Sequence, residues 1–220
     1  MIVAIDGPAG SGKSTIAKIL AERLGALYID TGAMYRALTY KVLASGIDLQ
    51  DKEKIYEIAR NTKLDFVKKG STYHILLDGK DVNEEIRKPE VSTKVFYVAD
   101  YPKIRGIMVF LQRKLSTNES VVIEGRDTTT VVFPEAKHKF FLDAEFSERV
   151  RRRQSDLLNK GIKISWEELS QSLAERDRKD KTRPVGALKQ APGAIYIDTT
   201  KLSIEEVVNK LLEIINKKDV

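Results

Sequence analysis

Residues 2–15 constrain this chain more than any other stretch. Ile2-Val3-Ala4-Ile5 is an apolar run, and Asp6-Gly7-Pro8-Ala9-Gly10-Ser11-Gly12-Lys13-Ser14-Thr15 comes directly after it. Gly7 with Gly12-Lys13-Ser14 fits the phosphate-loop pattern GxxxxGK(S/T). The apolar run predicts a buried central strand. A helix predicted over 13–24 turns its positive N-terminal end toward phosphates. The glycines let backbone N–H groups come close to phosphate oxygens, with no Cβ in the way. Lys13 can reach β- and γ-phosphates, and the Ser14 hydroxyl can ligate magnesium. As a loop lysine, Lys13 is expected to be exposed and to add little to a core. The implied ligand is a nucleoside triphosphate carrying magnesium. Its phosphates would lie among Gly7, Pro8, Ala9, Gly10, Ser11, Gly12, Lys13, Ser14 and Thr15.

From residue 25 onward, apolar runs alternate with helical patterns. Leu27-Tyr28-Ile29 predicts a buried strand, and Asp30-Thr31-Gly32 opens a helix carrying Met34, Tyr35, Leu38, Val42 and Leu43. A short helix is predicted over 52–60. Three short strands then come close together, over 64–67, 73–77 and 80–82. The turn signals Lys69-Gly70-Ser71 and Asp78-Gly79 separate them. Helices resume over 89–98 and 102–115, each started by a proline. Val121-Val122-Ile123 and Phe140-Phe141-Leu142 predict further buried strands, the first ending in Glu124-Gly125-Arg126-Asp127. A basic helix is predicted over 147–159. Ser165-Trp166-Glu167-Glu168 is a capping box that starts another, reaching about residue 180. A last strand, Ala194-Ile195-Tyr196-Ile197, precedes a helix with Val207, Leu211 and Ile214 facing inward.

Strands alternating with helices imply an α/β fold with a mainly parallel sheet covered on both faces. Its sites belong at the carboxyl ends of the strands, where the polar motifs stand. The antiparallel patch over 62–88 reads as an inserted lobe. The expected layout is a single domain with its core in 1–61, 89–144 and 186–220 and a lid over 145–185.

Composition narrows the partners. No apolar stretch approaches the roughly 18 residues of a membrane span. There is no cysteine, hence no disulfide or thiolate metal site, and only His74 and His138 could offer imidazole. Magnesium borne by the nucleotide is the expected ion. With no room for a signal peptide ahead of the first strand, a cytoplasmic location is expected. The net charge of +6 fits either nucleic acid or arginines gathered around the phosphates of small substrates.

Arginine placement favours the second. Arg36, Arg105 and Arg126 stand at expected acceptor positions, and arginine suits bidentate phosphate recognition. On a helix, Arg176, Lys179 or Asp180, and Arg183 share a face. With Arg149, Arg152 and Arg153 they form a candidate cationic clamp. Phosphoryl transfer needs one to neutralise the transferring oxygens and exclude water.

Several motifs occur together: Ile5-Asp6-Gly7-Pro8, Asp30-Thr31-Gly32-Ala33-Met34-Tyr35-Arg36, Asp81-Val82 with Ile86-Arg87, and Gly125-Arg126-Asp127 with Thr130-Val131-Val132-Phe133-Pro134. Phe141-Leu142-Asp143-Ala144 and Glu175-Arg176-Asp177 through Arg183 complete the set. In this combination the chain resembles the bacterial cytidylate kinases, a branch of the nucleoside monophosphate kinases, over nearly its full length. The resemblance implies a P-loop three-layer fold, an enlarged monophosphate-binding lobe from about residue 62 and a helical lid. It implies Lys13 and Ser14 on ATP phosphates and magnesium, and Arg149, Arg152 and Arg153 on the ATP-side lid. Thr31, Tyr35 and Arg36 would lie near the acceptor nucleotide, with Arg36 and Arg126 on its phosphate. Arg105 and Asp127 would read cytosine. Arg176 and Asp180 would hold the sugar, and Arg183 would close on phosphates. Phe96 stands where the family often has serine, and Glu124 where aspartate is common.

The expected activity is transfer of the ATP γ-phosphoryl group to CMP, and dCMP, by a monomer without nucleic-acid or membrane partners. Lys13, Arg126, Arg176 and Arg183 would be catalytic. The rivals are a kinase for UMP or another small acceptor, a basic nucleic-acid-binding ATPase, and a nucleotide switch without turnover. A nucleic-acid ATPase would want an aromatic stacking platform. Aromatic residues are 7% of the chain and mostly fall in the predicted strands and apolar helix faces.

Overall fold

A computed structural model describes residues 1–70, 72–117, 119–159 and 161–219. Ser71, in the predicted turn Lys69-Gly70-Ser71, lies outside the described residues. The chain begins with β1 (Ile2–Asp6), α1 (Lys13–Arg23), β2 (Leu27–Asp30), α2 (Thr31–Ala44) and α3 (Lys52–Arg60). Next come β3 (Leu64–Lys69), β4 (Thr72–Leu77), β5 (Lys80–Asp81), a 3₁₀ turn (Glu85–Arg87), α4 (Pro89–Ala99) and α5 (Pro102–Leu115). After β6 (Val121–Gly125) comes a π-type turn (Thr128–Val132), then β7 (His138–Asp143) and α6 (Phe146–Leu158). α7 (Trp166–Thr182), β8 (Ile195–Asp198) and α8 (Ile204–Asp219) end the chain.

Two compact units result, one of Met1–Leu27 with Ser120–Val220 and one of Tyr28–Glu119. The main sheet has the order β2-β6-β1-β7-β8, and β2 begins at Leu27, the last residue of the first unit's N-terminal part. β1 pairs in parallel with both β6 and β7, and β7 with β8. Val3, Ala4 and Ile5 are fully buried, as are Val121, Val122 and Ile123. Such near-continuous apolar strands are what a parallel sheet covered on both faces requires. The register aligns Asp6 with Gly125 on one side and Phe141 on the other. The phosphate loop, Arg126-Asp127 and the end of β7 thereby leave the sheet at one edge. α1 packs Ile16, Ala17 and Leu20 inward. α8 buries Val207, Val208, Leu211 and Ile215. Ile215, not Ile214, takes the last inward place, because the buried face steps by four residues from Leu211.

In the second unit, α2 is capped by Asp30, whose carboxylate accepts from Ala33 N at 2.8 Å, and α3 by Asp51. Prolines open α4 and α5. Met34, Leu38 and Val42 of α2 are buried, as are Ile55, Ile75, Ile86, Val91 and Ile104. Strands β3, β4 and β5 form a separate antiparallel sheet. Asp78 and Gly79 adopt positive φ (49° and 82°) in its turn, as an Asp-Gly hairpin demands. Residues 62–88 lie within this second unit. Among the described residues, no helix is long and apolar enough to cross a membrane.

Candidate active site

The phosphate loop is fitted closely to its surroundings. A Cβ on Gly7 would stand 2.0 Å from the carbonyl oxygen of Leu142, so only glycine lets the loop leave β1 against β7. Gly10 has φ 80° and its Cβ would meet the Arg149 carbonyl oxygen at 2.8 Å. Pro8, Ala9 and Ser11 are buried, Gly12 precedes α1, and Ser14 and Thr15 are exposed at its start. Lys13 is buried, at 5% exposure, contrary to the expectation of an exposed loop lysine. It is the first residue of α1 and is folded back over the loop, where its Nζ donates to Pro8 O at 2.9 Å.

Burial pushes the Lys13 ammonium down to about 7, and the charges of Arg126 and Arg176 add to the effect against Glu124 and Asp180. Arg126 Nε donates to Asp180 Oδ2 at 2.7 Å, and Arg183 donates to Asp180 Oδ1 at 2.8 Å. Four cations (Lys13, Arg126, Arg176, Arg183) thus lie near the carboxylates Glu124 and Asp180, and Asp177, paired with Arg149, also acts on Arg126. Lys13 is buried, Arg126 and Arg183 are half-buried and Arg176 is exposed, and phosphate oxygens would stabilise the positive charge gathered there. The first unit therefore gathers all four sequence-predicted catalytic residues.

Burial would raise the Asp180 carboxyl, but Arg126, Arg176 and Arg183 hold it below its ordinary value. A depressed native value gives stability that is fully present above the unfolded value of about 4 and is lost as pH falls through the native one. Asp180→Asn is therefore expected to cost about 3 kcal/mol at neutral pH, with the penalty shrinking below pH about 4. Urea unfolding at neutral pH and at pH about 3 checks this. Equal penalties at the two pH values would refute it.

Asp127 is buried and directly precedes the π-type turn. Its carbonyl accepts from Val131 N at 2.9 Å and Val132 N at 3.2 Å. Asp6, fully buried, accepts four hydrogen bonds from that turn: Thr128 N and Oγ1, both at 2.8 Å, and Thr129 N and Oγ1 at 2.7 and 2.6 Å. Burial pushes the Asp6 carboxyl up against the downward pull of these bonds.

The three arginines on α6 differ in their engagements. Arg149 is buried, with Nη1 donating to Asp177 Oδ2 at 2.6 Å and to Ala9 O at 3.0 Å. It joins α6, α7 and the phosphate loop, and Ala9, Val150, Leu169 and Leu173 form a small apolar core there. Arg152 donates to Thr199 Oγ1 at 2.9 Å and Thr199 O at 2.7 Å. Thr199 Oγ1 in turn donates to Ser11 O at 3.2 Å. Arg153 is half-buried on α6. The sequence offers Asp177 only as a member of a motif, with no role of its own, and does not mark Thr199. Both act across long sequence separations that no local pattern signals.

The second unit carries Thr31, Tyr35, Arg36 and Arg105. Arg36 donates to Asp30 Oδ2 at 3.0 Å. A Cβ on Gly32 would come within 3.0 Å of the Arg36 guanidinium, so the Asp-Thr-Gly motif leaves room for this pair. Arg105 is buried, donates to Ala99 O at 2.9 Å and lies over the Tyr35 ring at 5.3 Å. Phe96 packs on Tyr97, ring centroids 4.1 Å apart.

Ser14 Oγ donates to Glu124 Oε1 at 2.5 Å. A hydroxyl beside a carboxylate is a hard-oxygen donor pair, which fits magnesium that takes its other ligands from phosphates and water. Glu124, on β6, thus joins Ser14 as a candidate metal ligand. Among the described residues no cluster of three or more His, Asp or Glu forms a metal cage.

Comparison with known proteins places this geometry. The cytidylate kinase family model matches residues 3–217. A cytidylate kinase of Caldanaerobacter subterraneus subsp. tengcongensis is 51% identical over 98% of this chain and 94% of its own length. One from Carboxydothermus hydrogenoformans is 47% identical over 100% and 99%. The fold is similar to that of an uncharacterized protein from Eubacterium ventriosum, with TM-score 0.51 and 15% identity over 98% of each chain. The chain, matched from its first strand to its last helix, belongs to the cytidylate kinase family.

Proposed function

We propose that this chain transfers the γ-phosphoryl group of ATP to CMP, and to dCMP, giving ADP and the nucleoside diphosphate. The carrying observation is the cluster of Lys13, Arg126, Arg176 and Arg183 around Glu124 and Asp180, in a chain of the cytidylate kinase family. The acceptor phosphate is already anionic and nucleophilic, so no general base is required. Catalysis is alignment and charge neutralisation.

In this reading the loop from Gly7 to Thr15 wraps the ATP phosphates. Lys13 leaves Pro8 O for the transferring group. Ser14 and Glu124 would hold magnesium, which would supply charge neutralisation to the triphosphate. Arg176 and Arg183 follow the charge as it moves, and Arg126 holds the acceptor phosphate. Asp127 reads the cytosine amine, and Asp180 takes the sugar with Arg176. On the second unit, Arg36 serves the acceptor phosphate, Thr31 and Tyr35 the nucleotide, and Arg105 the base. Residues 62–88 act as the monophosphate-binding lobe. Residues 145–185, with Arg149, Arg152 and Arg153, act as the ATP-side lid. The enzyme works as a cytoplasmic monomer on small nucleotides, with neither nucleic acid nor membrane as partner.

A coupled assay of ADP release tests this with CMP, dCMP, UMP, AMP and no acceptor, with and without magnesium. The expected result is magnesium-dependent turnover highest with CMP. Faster turnover with UMP would move the acceptor assignment, and ADP release without any acceptor would identify an ATPase.

A further inference from the structure

We infer that Asp6 is a positioning residue for acceptor recognition, holding the turn that aims Arg126 and Asp127. This rests on the proposed function and goes beyond it, because Asp6 touches no substrate in that reading. Asp6 ends β1, and the register sets it opposite Gly125 at the end of β6. From Gly125 the chain runs through Arg126 and Asp127, which belong to no regular element, into the π-type turn. Such turns are rare and poorly self-supporting. This one closes on itself through Val132 N to Asp127 O at 3.2 Å and Phe133 N to Thr128 O at 2.8 Å.

Asp6 supplies the outside hold. An ionised carboxylate is acceptor-only, with about four lone-pair sites. The backbone N–H and hydroxyl of Thr128 take one oxygen, and those of Thr129 take the other. The two residues directly after Arg126-Asp127 are thereby fixed in orientation by a strand 122 positions away in sequence. A buried carboxylate is costly unless fully satisfied. These four bonds satisfy it, and all of them go to the turn rather than to the phosphate loop that begins at the next residue. Asparagine cannot replace it. Its amide oxygen can serve one threonine, but its NH₂ then faces the backbone N–H of the other, leaving a buried donor unmet.

The test compares Asp6→Asn, Thr129→Val and Thr129→Ser in the full chain. Thr129→Val keeps the branched shape and deletes a donor, while Thr129→Ser restores the donor. For Asp6→Asn, kcat/KM for CMP is expected to fall by about tenfold or more. Its CMP-over-UMP preference should shrink as well. Affinity for a non-hydrolysable ATP analogue should stay within about twofold, because no bond to the loop is lost. Thr129→Val should show a smaller loss of about threefold, which Thr129→Ser recovers. Amide hydrogen exchange across 126–132 should quicken in Asp6→Asn while that of 7–15 does not. Equal losses in CMP efficiency and ATP-analogue affinity would overturn the inference, as would unaltered exchange in 126–132. If Asp6→Asn does not fold, the two Thr129 variants decide, and a valine loss that serine fails to recover overturns it. Absence of CMP turnover in the unaltered protein would refute the functional reading alone; the exchange comparison still tests the hold on the turn.

Discussion

Replacing Lys13 by methionine should lower turnover by about a thousandfold while leaving a protein as stable as the original, or more so. The stability half stems from burial. Lys13 is only 5% exposed, and its ammonium is pushed down to about 7 by desolvation and by neighbouring arginines. A charge held there is costly, and its hydrogen bond to Pro8 O offsets only part of that cost. Methionine has similar length, fills much of the same space and carries no charge to desolvate. Losing the ammonium orphans a single carbonyl at the loop. The activity half stems from charge development. As the γ-phosphoryl group leaves, negative charge grows on the departing ADP oxygen beside the transferring group, and a preorganised cation there is among the largest contributions an active site makes. Arginine should not rescue, because its longer planar fork does not reproduce the single ammonium at a position only 5% exposed. Thermal unfolding with steady-state kinetics checks both halves. Near-normal turnover in a folded Lys13→Met protein would show that the loop does not carry the transfer.

Much of this arrangement is legible in the chain because it is local. The loop pattern announces β1 and α1 to within a residue, since strand, glycines and lysine are contiguous. Pro89 and Pro102 start the helices they predict. Ser165 and Glu168 form the capping box that their spacing implies. Asp78-Gly79 marks its hairpin because few other dipeptides tolerate two positive φ angles in sequence. The C-terminal helix is read correctly as amphipathic, and only its last inward residue differs.

What stays hidden depends on separations that no periodicity spans. Lys13 reads as a loop residue, and only the assembled sheet shows it buried among Glu124, Arg126, Arg176 and Asp180. Arg149 reads as one of three equivalent basic residues on a helix. In the fold it is set apart by its bonds to Asp177 and Ala9 O. Thr130-Val131-Val132 is β-branched and by propensity suits a strand. It joins a π-type turn instead, because Asp6 offers acceptors to the two threonines before it. Asp6 itself reads only as a lead-in to the glycines. Its partners lie in a different motif, and only the pairing of β1 with β6 brings the two together.

On the proposed assignment, Asp127→Ala and Arg126→Ala should separate recognition of the base from recognition of the phosphate. Cytosine offers an amine donor at position 4 with acceptors at N3 and O2. Uracil offers an acceptor at position 4 and a donor at N3. A carboxylate facing position 4 rewards the first and repels the second. Asp127 is 5% exposed, and a polar group this buried rejects the mismatched base strongly because neither partner can be satisfied by water. Asp127→Ala is therefore expected to lower kcat/KM for CMP by about a hundredfold. The value for UMP, which gains nothing from the carboxylate, should change by no more than about threefold. Arg126 is held by Asp180 at 2.7 Å and would face a phosphate that both nucleotides share. Its loss should reduce both by the same large factor and leave their ratio intact. Circular dichroism on each variant separates these effects from misfolding, since Asp127 directly precedes the π-type turn and its carbonyl closes it. If Asp127→Ala lowers CMP and UMP turnover equally, then Asp127 shapes the turn and orients its neighbours, and the base is read elsewhere.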